Sequence, residues 1–242
     1  MYSDTIKINT NGAKMIAHRG LSKLELENTK EAFIAAGNRS YYGIETDVRL
    51  TKDNKLVVYH DDDLNRLAKL DKKVIELTLN ELQNLVLDND FNTVKSTHRF
   101  LEFEDYLKIC KHYKKVPIIE LKNGQTEDSI KRIYDLTMKY FGDDLNSFVF
   151  ISFHFDYLLK LKELNNDLKI QFLFGKDFDQ NLELCIKHNF DLDINYGLLT
   201  EENYNKIQKT NLKLNIWTMD DPNWVIDKSK YKIDFITSNI LE

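Results

Sequence analysis

"GIETDVRLTKDNKLVVYH" (residues 43–60) decides how the rest of the chain is counted. It holds two β-rich apolar runs, 43–49 and 55–60, on either side of "LTKDN". Five residues are far too few for a parallel crossover but suit a hairpin turn. Outward from this pair, further strand-like runs occupy 14–18, 116–121, 147–153, 169–174, 190–195, 212–218 and 232–237. Counting 55–60 as an antiparallel hairpin partner leaves eight runs, the number that closes a barrel.

Between those runs lie helical patterns near 28–38, 103–114, 126–140, 154–165, 179–188, 200–209 and 221–228. Strands that alternate with helices argue for a parallel sheet with crossover helices. The expected fold is therefore α/β: a (β/α)8 TIM barrel, with a β-hairpin after strand 2 and a small insertion (about 61–102) before strand 3. The chain reads as one domain, 1–242. Inside the insertion "LTLNELQNL" reads as a short helix. Asn28, three residues before Glu31, has the form of an N-cap with a reciprocal partner. Asp221-Pro222 has the form of a last-helix start, with proline in the first turn.

A chain of 242 residues with 42% hydrophobic and 12% aromatic residues has ample material for a large core, which excludes global disorder. A formal net charge of −5 gives no electrostatic case for nucleic acid or for an anionic membrane surface. Cys110 and Cys185 fall in expected helices and read as free thiols of a reducing compartment. "MYSDTIKINTNGAK" lacks the apolar core of a secretory signal, and no run approaches the ~18 apolar residues of a membrane span. The expectation is a cytoplasmic protein with no stable membrane insertion, its oligomeric state left open.

In such a barrel the chemistry belongs at the C-terminal ends of the strands. "KMIAHRG" (14–20) delivers His18 and Arg19 there, with Gly20 expected to turn the chain away without obstructing the pocket. The two-residue period puts Glu45 and Asp47 on one face, and Glu120 and Lys122 on another. His60 ends the hairpin strand. An inward Glu–Asp pair repels unless a cation or a proton lies between the two groups. Metal ligation and a hydrogen-bonded structural pair are the two readings. Three oxygen-only carboxylates suit Mg²⁺ or Ca²⁺ better than zinc. Arg19 and Lys122 would offset an anionic substrate, and two imidazoles are matched to proton transfer near neutral pH. His154 is an outside candidate; His98 and His112 read as structural or exposed, and His188, near a helix C-terminus, as a cap compatible with the helix dipole. Together these groups suggest cleavage of a phosphodiester.

"AHRG", "ENT" (27–29), "IETDVRLTKDNKLVVYHDDDLNR" (44–66), "IIELK" (118–122), "ISF" (151–153), "IWTMDD" (216–221) and "FITSN" (235–239) resemble, in order, the landmarks of the glycerophosphodiester phosphodiesterases. The resemblance runs nearly the whole chain. It implies a metal-dependent hydrolase in which Glu45, Asp47 and Glu120 bind one divalent cation, Mg²⁺ or Ca²⁺. It implies that His18 and His60 are the acid–base pair and that Arg19 and Lys122 hold the phosphate. Trp217 matches the family's aromatic at the pocket wall, and Glu27 matches the acid of its turn, a weaker candidate for metal or substrate contact. Leu26 stands where the family often has proline, and "TSNI" (237–240) where it usually has "TD-x-P".

The implied partner is a small glycerophosphodiester, cleaved to sn-glycerol 3-phosphate and an alcohol. One alternative is a lysophospholipase D acting on lipid diesters, with Phe91, Phe100 and Phe103 as a lipid-facing wall or, instead, the packing of a small lobe. The other is a non-catalytic paralogue that binds a phosphodiester or a metal.

Overall fold

The computed structural model describes residues 4–88 and 98–242. The chain opens with strand β1 (Lys14–Ala17), helix α1 (Lys30–Gly37), β2 (Gly43–Leu50) and β3 (Leu56–Val58). The insertion carries β4 (Asp63–Leu64), α2 (Asn65–Ala68), β5 (Leu70–Lys73), α3 (Leu79–Gln83) and β6 (Leu101–Glu102). Regular alternation then resumes: α4 (Phe103–Tyr113), β7 (Val116–Leu121), α5 (Glu127–Phe141), β8 (Val149–Ser152) and α6 (Phe155–Leu164). It ends with β9 (Ile170–Phe174), α7 (Phe178–His188), β10 (Asp191–Asn195), α8 (Glu201–Ile207), β11 (Leu214–Trp217), α9 (Pro222–Asp227) and β12 (Phe235–Ser238).

Eight of these strands, β1, β2 and β7 to β12, pair in parallel, and β1 bonds to both β2 and β12, so the sheet closes into a (β/α)8 barrel. As the short "LTKDN" link requires, β3 runs antiparallel to β2, with Val48 opposite Val58. β6 adds a further antiparallel strand on β3 that the sequence pattern did not announce. The two-residue strand period sorts the side chains. Ile16, Ile118, Val149, Ile151, Leu173 and Phe235 fill the barrel interior, while their neighbours Ile44, Ile119, Phe150, Ile194 and Ile216 pack outward in the core beneath the helices.

The insertion has a small core of its own, in which Tyr59 packs on Phe100 beside Leu64, Leu67, Val74 and Leu82. Phe100 is therefore buried, and Phe103 is buried in the main core against Tyr106. Phe100 packs the lobe and Phe103 the main core, so neither forms a lipid-facing wall; Phe91 lies outside the described residues. Among the described residues no helix is long and apolar enough to cross a membrane. Cys110 and Cys185 are free and buried, and burial pushes both thiols up to about 12.

Two local expectations are corrected. Thr29, not Asn28, caps α1, its hydroxyl accepting from the Ala32 amide. Asn28 instead takes a left-handed backbone (φ 55°) that turns its side chain into the barrel. Gly20 has φ 79°, and a Cβ there would lie 2.7 Å from the Ala32 backbone. Its glycine is required by the close approach of the β1 loop to α1, not by clearance of a pocket.

Candidate active site

The register sets the centre of the site. Asp47 lies directly across from Glu120 on the adjacent strand, and Glu45 is two residues below Asp47 on the same inward face. One oxygen from each of Glu45, Asp47 and Glu120 lies within 4.8 Å of the others, and all three residues are buried. Three carboxylates this close cannot all ionise cheaply. Burial and the charges of Asp47 and Glu120 push Glu45 well above the ordinary carboxylate range. Burial and the charge of Asp47 push Glu120 up to about 7, against the opposing pull of Lys122. At Asp47 burial also opposes ionisation. There the Arg19, Lys122 and His60 charges and a hydrogen bond from Asn28 prevail and hold the carboxyl well below its usual range.

One feature of the triad points to a cation. Asp47 Oδ1 is buried and accepts no hydrogen bond, although Oδ2 takes one of 2.8 Å from Asn28 Nδ2. A buried orphan oxygen inside a ring of carboxylates costs free energy that a hard divalent ion offsets. These residues therefore fit such an ion.

Around the triad stand the cations. Arg19 sits at φ 54°, its backbone amide donating to Glu45 Oε2 (2.8 Å) and its Nε lying 3.4 Å from Asp47 Oδ2. Lys122 Nζ is 2.8 Å from Glu120 Oε1 and 3.5 Å from Asp47 Oδ1. Thus Arg19 and Lys122 flank Asp47 on opposite sides, as adjacent strands demand.

His18 and His60 meet at this mouth from different elements. His18 is held from the barrel's closing strand: its Nδ1 is 2.8 Å from Asn239 Oδ1. Asn239 in turn donates through Nδ2 and its backbone amide to Asp220. Its Nε2 lies 4.0 Å from Glu45 Oε2. Burial, with the charge of Arg19, pushes the imidazole down to about 4. His60 is more open, and its Nδ1 is 2.8 Å from Asp61 Oδ1. Its backbone carbonyl accepts from both Nε (3.0 Å) and an Nη (2.6 Å) of Arg49, which also bonds Asn123 beside Lys122.

The opposite arc of the mouth is aromatic. Trp217 donates from its indole to the Asp193 carbonyl at 3.1 Å and meets Phe153 edge-on at 5.5 Å. The indole reaches across the end of β9 beside Gly175, where a Cβ would make an ordinary contact, 3.7 Å from Trp217 Cη2. A cavity of about 760 Å³ opens between the insertion and the ends of β7 and β8, lined by Arg49, His60, Asp61, Arg66, Glu120, Lys122, Phe153 and His154 among others. His154 thus reaches the cavity wall, stacked on Tyr157.

The structure brings His18, Arg19, Glu45, Asp47, His60, Glu120, Lys122 and Trp217 to one mouth. Glu27 comes near, but both of its oxygens accept from arginines, Oε1 from Arg19 and Arg66 and Oε2 from Arg66. Sequence reasoning passed over Asn28, Arg49, Asp61, Arg66, Asp220 and Asn239. For Asp61 and Arg66 the signal was present, since both stand in "HDDDLNR". Asn239 occupies the "TSN" departure, so no pattern assigned it a partner.

A family model described as the glycerophosphoryl diester phosphodiesterase family matches residues 18–239. An uncharacterized protein of Mycoplasma genitalium is 32% identical over 213 residues, 86% of this chain and 87% of its own. A glycerophosphodiester phosphodiesterase of Caldanaerobacter subterraneus subsp. tengcongensis is 28% identical over 213 residues, 85% of each chain. An Oleispira antarctica phosphodiesterase, solved in complex with the product sn-glycerol-3-phosphate, shares the fold with a TM-score of 0.85. It is 22% identical, and the match covers 97% of this chain and 96% of that one.

Proposed function

The chain belongs to the glycerophosphoryl diester phosphodiesterase family, and from that premise we propose which diesters it cleaves and how its residues act. The substrates are small glycerophosphodiesters such as glycerophosphocholine and glycerophosphoethanolamine, hydrolysed to sn-glycerol 3-phosphate and an alcohol. The supporting observation is the meeting, at one mouth, of three buried carboxylates, two imidazoles and two flanking cations. One barrel domain spanning 1–242 carries the activity. A cytoplasmic location belongs to the same reading, in keeping with two unpaired thiols.

Glu45, Asp47 and Glu120 would hold one divalent cation, Mg²⁺ or Ca²⁺, which supplies charge neutralisation to the phosphate oxygens and to the attacking oxygen. Arg19 and Lys122 present further positive charge to the phosphate. Trp217 lines the wall opposite. Asn239 spends its Nδ2 on Asp220, so its Oδ1 faces His18 and the His18 hydrogen sits on Nδ1. His18 Nε2 is then the bare nitrogen, turned toward the triad, and takes the proton of the attacking water, or of a glycerol hydroxyl whose cyclic phosphate a water then opens to sn-glycerol 3-phosphate. Asp61 is a carboxylate that can only accept, so the His60 ring is held by an Nδ1–H bond to Asp61 Oδ1 and its Nε2 is left for the leaving alcohol. His60 therefore gives its Nε2 proton to the alkoxide as the P–O bond to the alcohol breaks.

The test is a panel of glycerophosphocholine, glycerophosphoethanolamine and lysophosphatidylcholine, each with and without a chelator. Expected is sn-glycerol 3-phosphate from the small diesters, only with a divalent cation present. Release from no glycerophosphodiester would overturn the proposal. Preference for lysophosphatidylcholine would replace it with the lipid diesterase.

A further inference from the structure

Arg66 lies on α2, in the insertion; it borders the cavity that His60 lines and bonds to Asp61 and Glu27, not to the groups that meet the phosphate. Its guanidinium is nevertheless the hinge of a continuous chain of bonds. Nε donates to Asp61 Oδ2 at 2.7 Å, while Asp61 Oδ1 holds His60 Nδ1 at 2.8 Å. The two Nη atoms grip Glu27, to Oε2 at 2.9 Å and to Oε1 at 2.7 Å. Glu27 Oε1 also accepts from Arg19 at 2.9 Å, and Arg19 reaches Glu45 and Asp47. Loops that are 39 positions apart in sequence are thereby joined at one side chain.

Stability is a poor reason for this arrangement. The Arg66 side chain is 45% exposed, and ion pairs of that exposure contribute little to folding. What the geometry supplies is direction. A bidentate fork on Glu27 with a third donor on Asp61 admits one orientation of the guanidinium, which a lysine cannot reproduce. With Asp61 fixed, only one rotation of the His60 ring keeps the Nδ1 bond, and that ring forms part of the cavity wall. Arg49 fixes the same residue at its backbone carbonyl.

We propose that Arg66 is a positioning residue for the hydrolysis: through Asp61 it locks the His60 imidazole in register with Arg19 and the acidic triad, so that the insertion completes the acid–base machinery. This rests on the reading of His60 as the acid that protonates the leaving alcohol.

The experiment compares glycerophosphoethanolamine with a glycerophosphodiester whose leaving group is nitrophenol, which departs without a proton. Wild type, Arg66→Met, Arg66→Lys, Asp61→Asn and the double variant Arg66→Met/Asp61→Asn are measured with the activating cation, beside His60→Ala. On the alkyl ester Arg66→Met is expected to lower kcat about tenfold or more, with KM within about twofold and the melting temperature unchanged. Arg66→Lys should retain most of that defect. The double variant should be no slower than Asp61→Asn, because both act through one bond. With the nitrophenyl ester the defect should vanish. Equal losses on both esters, a loss carried by KM, or additive effects in the double variant would overturn the proposal. If His60→Ala shows no leaving-group dependence, the acid assignment falls and takes the proposal with it. If His60→Ala shows it and Arg66→Met does not, the positioning role alone falls.

Discussion

One arc of the barrel mouth, from β12 through β1 and β2 to β7, presents Asn239, His18, Arg19, Glu45, Asp47, Glu120 and Lys122. The other, from β8 through β11, presents Phe153, Tyr196 and Trp217, with Phe153 and Tyr196 among the exposed large apolar side chains. The charged arc is cross-linked many times over: Asp47 alone faces Asn28, Arg19 and Lys122. The aromatic arc is held by edge contacts, Phe153 on Trp217 and Tyr196 on Trp224, and by one hydrogen bond from the Trp217 indole to the Asp193 carbonyl. Burying ionisable groups costs free energy unless each is partnered, so the first arc has one set of side chains that works. The second needs only surface and shape. On this view the charged arc governs the rate of the chemical step and the aromatic arc governs substrate affinity.

Loss of the cation site should have the largest effect. Asp47→Asn, or a chelator added to wild type, is expected to lower kcat/KM by at least about 10³-fold, since the ion's charge stabilisation is worth several kcal/mol. Turnover assays with metal added back check this; an active, metal-independent Asp47→Asn enzyme would break the division at its centre. His18→Ala and His60→Ala should follow, each at about 10²–10³-fold in kcat with KM little changed. Asn239→Leu removes the oxygen that orients His18, together with the side-chain bonds to Asp220 and Ser22, and should cost about tenfold, read from the same kinetics.

This order also shows where the sequence was readable. Glu45 with Asp47 and Glu120 with Lys122 were legible because a period of two places alternate strand residues on one face, whatever the rest of the chain does. The barrel was legible because a five-residue link settles whether 55–60 is a ninth barrel strand. What escaped was set by backbone shape and long-range contact. Asn28 looked like a cap because N-caps are short and polar, yet its φ of 55° turns it into the barrel and leaves the cap to Thr29. Gly20 looked like a pocket residue because it follows "HR", while its neighbour in space is Ala32. Asn239 bonds a histidine 221 positions away, a pairing that no local pattern carries.

A subtler test of the charged arc uses pH. Without a cation the Glu120 carboxyl, pushed up to about 7, binds a proton in the folded chain at values where the unfolded chain, near 4.5, has lost it. Its contribution to stability is therefore present below 4.5 and lost as pH rises through 7. His18, pushed down from 6.5 to about 4, acts in the opposite direction: its contribution is present above 6.5 and lost as pH falls toward 4. The two partly cancel in the cation-free protein, so cation binding is the cleaner observable. An incoming ion must displace the Glu120 proton, and that of Glu45, which is also pushed well above its ordinary range, so affinity should fall by at least about tenfold per pH unit below 7. Titration calorimetry with Mg²⁺ or Ca²⁺ between roughly pH 5.5 and 8 measures this. An affinity flat across that window would show that the triad is already ionised.

The smallest effect is expected on the aromatic arc, and it tests the comparison from the other side. Phe153 is 45% exposed, and its ring meets the Trp217 indole edge-on, so Phe153→Ala removes wall surface without opening the core. An aromatic contact of this kind is worth about 0.5–1.5 kcal/mol, or roughly two- to tenfold in affinity. The expected outcome is a KM raised by that factor with kcat and melting temperature unchanged, because no ionisable group of the opposite arc depends on the ring. Trp217→Phe should do the same on a larger scale, since the indole also bonds the Asp193 carbonyl. If Phe153→Ala lowered kcat as much as His60→Ala does, the wall would be acting on the chemical step. His154, which follows it in the chain and lines the same cavity, would then become the next residue to replace.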